Sequence, residues 1–194
     1  MIRHWAYAVG AASLLAMLLA GCASGAAKGG PLASKVGGQL LECIPSSPDG
    51  LYTDGMTSLP NLSTNTAVIE RITLIDAHNL RILSSWIVPA AGPVYGDIPG
   101  GYPPRSGGLP PPPGFDWAGR QRAIGATIPP TPSGGPEGTR PNVNLVIVMA
   151  VPPHGHASDR GMYVWYRLGG RQYRLHTTIW LWLRPGSTKA CPKV

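Results

Sequence analysis

The chain has 194 residues, 43% hydrophobic and 13% charged, with a formal net charge of +7. That length suits one domain with a real core, although 26 glycines and 22 prolines approach the level of low-complexity chains. The excess is concentrated in particular loops, and nine Asp and Glu in all leave few groups for acid–base catalysis.

At the N-terminus Arg3 supplies a short positive region, and Trp5 to Leu19 supply an apolar run of signal-peptide length. Fifteen residues are too few to span a bilayer comfortably, which takes roughly 20. The run closes on Leu19-Ala20-Gly21-Cys22. This resembles the lipobox of bacterial lipoproteins, whose cysteine is lipidated and becomes the new N-terminus. The resemblance implies that residues 1–21 are a cleaved signal helix and that Cys22 carries a membrane-anchoring lipid. The domain would then be extracytoplasmic, lipid-anchored to the cell membrane. An ordinary secretory signal, with Cys22 incidental, is the alternative.

Three cysteines are an awkward number for an exported protein. Giving Cys22 to the lipid leaves Cys43 and Cys191, and an oxidising compartment favours a disulfide between them. Closing a loop of about 150 residues contributes about 4–5 kcal/mol in the chain-entropy model. Two separate buried thiols are the other possibility.

From Cys22 onward the charge is +6, supplied mainly by arginine. Such a protein is drawn to anionic lipid heads or acidic wall polymers. Export, and the lack of a basic run, argue against nucleic acid as a partner. Residues 22–38 are rich in Ala, Gly, Ser and Lys and read as a flexible tether. A single domain over 39–194 follows. Order is expected from Gln39 to Cys43, and Ile44 to Thr66 read as a turn-rich loop with at most one short strand. Asn61-Leu62-Ser63 spells a glycosylation acceptor that, after a bacterial-type signal, reads as an accident.

Val68 to Ile75 and Leu80 to Val88 read as two strands of a hairpin, turned by Asp76 to Asn79. Ala90 to Gly114 form a proline- and glycine-rich excursion, since proline removes ladder donors. Trp117, Arg120 and Arg122 follow, then a short strand near Ala123 to Ile128 and a second Pro/Gly loop over 129–141. Asn144 to Val151 are nearly all apolar and predict the central strand. Gly169-Gly170 is a two-residue turn between strands Met162 to Leu168 and Arg171 to Leu183. Outside the signal peptide no segment has helical periodicity. The predicted fold is an all-β, antiparallel β-sandwich, immunoglobulin-like in the loose sense, with long Pro/Gly-rich loops after the signal helix.

Residues Ile72-Thr73-Leu74, Trp86-Ile87-Val88-Pro89, Trp117, Gly125-Ala126-Thr127-Ile128-Pro129 and the hairpin Tyr166-Arg167-Leu168-Gly169-Gly170-Arg171-Gln172-Tyr173 come in a familiar order. Over roughly residues 67–191 the chain resembles small actinobacterial envelope proteins. That resemblance brings no activity, substrate or catalytic residue with it.

The turn fixes the hairpin register. Tyr166, Tyr173, Val164 and Leu175 share a core face that continues to Ile179, Leu181 and Leu183. The opposite face carries Tyr163, Trp165, Arg167, Arg174 and His176, and is expected to continue to Trp180 and Trp182. Mixed aromatic and basic groups suit a glycan, an anionic envelope polymer, a lipid head group or a partner protein. The plainer reading is a covered face on which Trp165 merely stacks with Arg174. His154 and His156, with Met162, form a weak candidate for a soft metal such as copper. Ser84, Ser85, Ser106 and Glu137 carry no catalytic motif. No catalytic residue and no cofactor is expected; an envelope enzyme with an unrecognised site, and a purely structural lipoprotein, are the alternatives.

Overall fold

The central strand is β9 (Pro141–Ala150), and it is apolar because both of its faces are covered. Leu145, Ile147 and Met149 enter the main core, while Val146 and Val148 are buried on the opposite face. This computed structural model describes residues 27–33, 40–46, 49–91, 96–99, 116–133 and 141–185. Strand β9 lies between β3 (Leu51–Ser58) and β5 (Arg81–Ala91), antiparallel to both. Two short strands, β6 (Gly96–Pro99) beside β3 and β7 (Gln121–Arg122) beside β5, complete this five-stranded sheet.

Facing it is a second sheet built on β11 (Met162–Leu168) and β12 (Arg171–His176). β4 (Ala67–Leu74) pairs with β11, and β1 (Ala27–Lys28) and β8 (Thr127–Ile128) form the two edges. A third sheet places β13 (Ile179–Pro185) between β10 (Ala157–Asp159) and β2 (Leu40–Ser46). Inward residues of all three sheets, among them Tyr52, Ile69, Ile147, Tyr166 and Leu181, form one core. The fold is therefore an all-β sandwich with predominantly antiparallel sheets, and the described residues contain no helix. Two pairings, β1 with β12 and β13 with β2, are parallel. The expected signal helix at 1–21 lies outside the described residues.

The hairpin register follows the Gly-Gly turn as predicted. Leu168 opposes Arg171, Tyr166 opposes Tyr173 and Trp165 opposes Arg174. Both turn glycines have positive φ, at 55° and 78°. The chain does not continue as one long strand to Leu183, however. At Thr177 it is pinned back to Met162, whose N–H donates to Thr177 Oγ1 at 2.9 Å while Thr177 N–H donates to Met162 O. Beyond Met162 strand β11 ends, so β13 pairs with β10 and β2 instead.

Other segments also depart from the sequence expectation. β4 and β5 do not form a hairpin but belong to opposite sheets. Asp76 and Asn79, both at positive φ, and a bridge from His78 to Ser158 carry the chain across the sandwich edge. Residues 44–66, read mainly as loop, contribute the end of β2 and the whole of β3. Pro89 lies within β5, which runs on to Ala91, and β6 falls inside the predicted excursion. Near Ala123–Ile128 the chain makes two short strands about a turn.

Residues 27–33, read as part of the flexible tether at 22–38, lie on the fold. Leu32 is buried in the core, and its N–H donates to the Tyr166 hydroxyl at 3.2 Å. Asn61 is buried as well. Its side-chain amide donates to Asn65 O and Ile128 O, and its Oδ1 accepts from Ser63, leaving no room for a glycan.

Candidate functional site

The outer face of β4, β11 and β12 gathers most of the aromatic and basic residues singled out in the sequence. Trp165 occupies a rung between Arg71 on β4 and Arg174 on β12. The Arg71 guanidinium lies 4.3 Å from the Trp165 ring centre and that of Arg174 lies 5.3 Å from it. Arg174 also sits 4.2 Å from the Tyr163 ring, and Tyr163 packs beside His176 at 5.3 Å. A cation over an aromatic face gains about 0.5–1 kcal/mol at exposed sites, so this ladder holds the guanidiniums in place.

A register shift between Trp165 and Tyr166 leaves Glu70 as an extra residue in β4. Bulges re-aim side chains, and here Glu70 takes an ion pair with Arg167 and a 2.6 Å hydrogen bond from Gln172. This face thus sets one carboxylate, Glu70, against Arg71, Arg167 and Arg174, and it keeps a positive balance. Arg71 and Glu70 were not picked from sequence. Alternation in β4 would set these neighbours on opposite faces; the bulge turns both outward, and the register it displaces sets Arg71 beside Trp165.

Trp180 and Trp182 stand on the third sheet, so the predicted surface divides into two patches. Arg160 lies over Trp180 at 5.2 Å. Trp182 stacks on His156 at 4.5 Å, and His156 on His78 at 4.7 Å. Trp165, Trp180 and Trp182 therefore each have an arginine or histidine against a ring face. Trp165 and Trp182 also have buried Nε1 atoms without a partner. Guanidinium edges, rather than bare indole faces, are what this surface offers.

The weak metal candidate does not assemble. Met162 points into the core, His156 stacks outside on Trp182, and His154 is exposed. Among the described residues no group of three or more His, Cys, Asp or Glu is placed to hold a metal ion. Cys43 is disulfide-bonded. Cys22 and Cys191 lie outside the described residues, as do Ser106 and Glu137, so the Cys43–Cys191 pairing stays a proposal.

Acids that look scattered in sequence meet in the interior. Asp159 on β10 and Glu42 on β2 flank Leu181 in one rung of the third sheet. Asp54, 1% exposed, faces them from β3, and Asp159 is 5% exposed. Burial pushes Asp54 up to about 6, opposed by the Met56 N–H and reinforced by the charge of Glu42. Burial pushes Asp159 up to about 7, opposed by the Gly161 and Leu181 N–H groups and reinforced by Asp54. Glu42 is raised by burial too. The Tyr52 hydroxyl, buried without a hydrogen-bond partner, is raised by burial and then by the neighbouring acids. These groups are core, not a cleft. A separate open groove of about 460 Å³, lined by Leu59, Pro89, Gln121, Ile128 and Asn142 among others, contains none of the candidate binding or metal residues.

The fold and this face define a sandwich with a stacked arginine–aromatic surface. No family model, curated protein or solved structure matches the chain.

Proposed function

We propose that this is an extracytoplasmic lipoprotein that binds an anionic envelope polymer, without catalysis, through the outer face of β4, β11 and β12. The observation that supports it is the Arg71–Trp165–Arg174 rung. Stacking fixes two guanidinium planes before any ligand arrives, which lowers the ordering cost of binding. Arginine's planar fork suits carboxylate or phosphate oxygens. Cys22 would supply the lipid that keeps the domain at the membrane.

Retention of the full chain on an immobilised anionic polysaccharide tests this reading. The double variant Arg71→Gln/Arg174→Gln is expected to elute at much lower salt than the parent, with an unchanged near-ultraviolet spectrum. Equal retention would overturn the reading and favour a purely structural role for the stack. Lipidation is checked separately, by fatty-acid labelling of the parent and of Cys22→Ser.

A further inference from the structure

A second arginine–tryptophan cluster lies on the other layer, at the edge formed by β5 and β7. Trp86 on β5 opposes Arg122 on β7. The Arg122 guanidinium lies 4.1 Å from the Trp86 ring centre, and that of Arg120 lies 5.3 Å from Trp86 and 4.8 Å from Trp117. Arg120 also donates to Trp117 O at 2.9 Å, and Trp86 Nε1–H donates to Ser84 Oγ at 3.2 Å. Both arginines are exposed, and neither joins an ion pair among the described residues. The nearby Asp116 carboxylate accepts the Gly119 N–H.

What separates this cluster from the hairpin face is apolar surface. Leu83 is 42% exposed and Ile124 is 53% exposed, two of the few large hydrophobic side chains left open to solvent. Each is displayed by a local backbone device. Leu83 is the extra residue where the β5–β9 register shifts between Ile82 and Ser84. Ile124 tops a tight turn in which Ala126 N–H donates to Ala123 O and Gly125 has a φ of 86°. Together with Arg122 they line one shallow concavity on the surface. The turn is bonded to both layers, through Ala123 to Ser85 and through Gly125 and Ala126 to Ile69, so the patch is rigid.

We propose that this edge is a docking patch for an anionic bilayer surface. Leu83 and Ile124 enter the boundary between head groups and acyl chains, Trp86 and Trp117 sit at head-group level, and Arg120 and Arg122 meet lipid phosphates. Aliphatic, indole and guanidinium groups in one patch match the layers of a membrane interface, whereas a soluble polyanion has no use for the aliphatic pair. The inference rests on the extracytoplasmic, membrane-anchored placement proposed above but not on what the hairpin face binds. Strand β1 leaves at the opposite edge of the other sheet. Lipid and patch together would then fix the orientation of the domain, where a lipid alone leaves it free.

The test is hydroxyl-radical footprinting of the full chain on vesicles of phosphatidylcholine alone or mixed equally with phosphatidylglycerol. Oxidation of Leu83, Trp86, Trp117 and Ile124 is expected to fall several-fold on the anionic vesicles only. Juxtamembrane basic residues contribute enough that losing two weakens docking about thirtyfold, so Arg120→Gln/Arg122→Gln should restore oxidation. Leu83→Ser/Ile124→Ser should restore it in part. Core Met149 must stay protected in every variant, which identifies any that fail to fold. Equal protection on both vesicle types overturns the proposal, as does equal protection by soluble polyphosphate, which would mark a simple anion site. Protection confined to Trp165 overturns it too, and would turn the hairpin face toward the bilayer. The polysaccharide retention experiment remains independent of all these outcomes.

Discussion

The interior carboxyls and the surface guanidiniums of this protein are held by opposite means. Asp54 and Asp159 lie between the sheets with backbone N–H groups for company and, among the described residues, no cation within an ion pair. Burial favours their neutral forms. Arg71, Arg174, Arg120 and Arg122 lie on the outside and rest on indole or phenol rings. The sandwich thus withdraws acids from the electrostatic surface and fixes bases on it. In mildly acidic surroundings the protein is more positive than its formal +7. Both proposed faces gain from that.

The largest effect that would break this comparison concerns pH and stability. Asp54 and Asp159 have folded pKa values of about 6 and about 7, above their ordinary 3.8. A raised carboxyl means that the native state binds more protons than the unfolded chain, so stability falls as pH rises. The loss begins near pH 4, where the unfolded chain ionises, and is complete just above pH 7. Each tenfold change in proton affinity is about 1.4 kcal/mol, giving a total on the order of 7 kcal/mol for the two groups. Urea unfolding at pH 4.5, 6 and 8 checks it. Stability that rises over that range would show the acids to be solvated or paired.

Next in size is Asp159→Asn. It removes a buried group that must ionise at pH 8 while keeping an oxygen to accept the Gly161 N–H, bonded at 2.8 Å in the parent. The variant is expected to be about 2–3 kcal/mol more stable than the parent at pH 8. Near pH 4.5 the parent carboxyl is already neutral, so the advantage should vanish. A variant less stable than the parent at both pH values would mean that the carboxylate is charged and favourably held.

The hairpin and the central strand were legible because local chemistry decides them. Gly169-Gly170 sets a register that alternation then carries to Tyr163 and His176, and Leu145 to Val151 are too apolar to be exposed. β3 was not legible, because Asp54-Gly55 reads as a turn, although both residues are buried in a strand. Its carboxyl finds its place through β2 and β10, far away in sequence. The same holds for Arg71, whose position depends on a bulge, and for β13, whose departure to a third sheet depends on the hold of Thr177 on Met162. The hairpin's own members of the candidate face could be named from sequence, but the partner strand that completes it could not.

The smallest effect is the most informative about the surface. Arg71→Gln removes one guanidinium from Trp165 and leaves Arg174 over that ring at 5.3 Å and over Tyr163 at 4.2 Å. At an exposed site the stability cost is expected to be about 0.5–1 kcal/mol, well below the interior effects. If the rung exists only to brace the sheet, that cost is the whole consequence. Retention on an anionic polymer would then vary with salt as it does for the parent. If the rung binds, the variant loses a charge that meets the ligand, and the salt dependence of its retention becomes shallower, because fewer charges are left to screen. Measuring unfolding and salt-dependent retention on the same variant separates bracing from binding, since a brace shifts only the first and a contact shifts both.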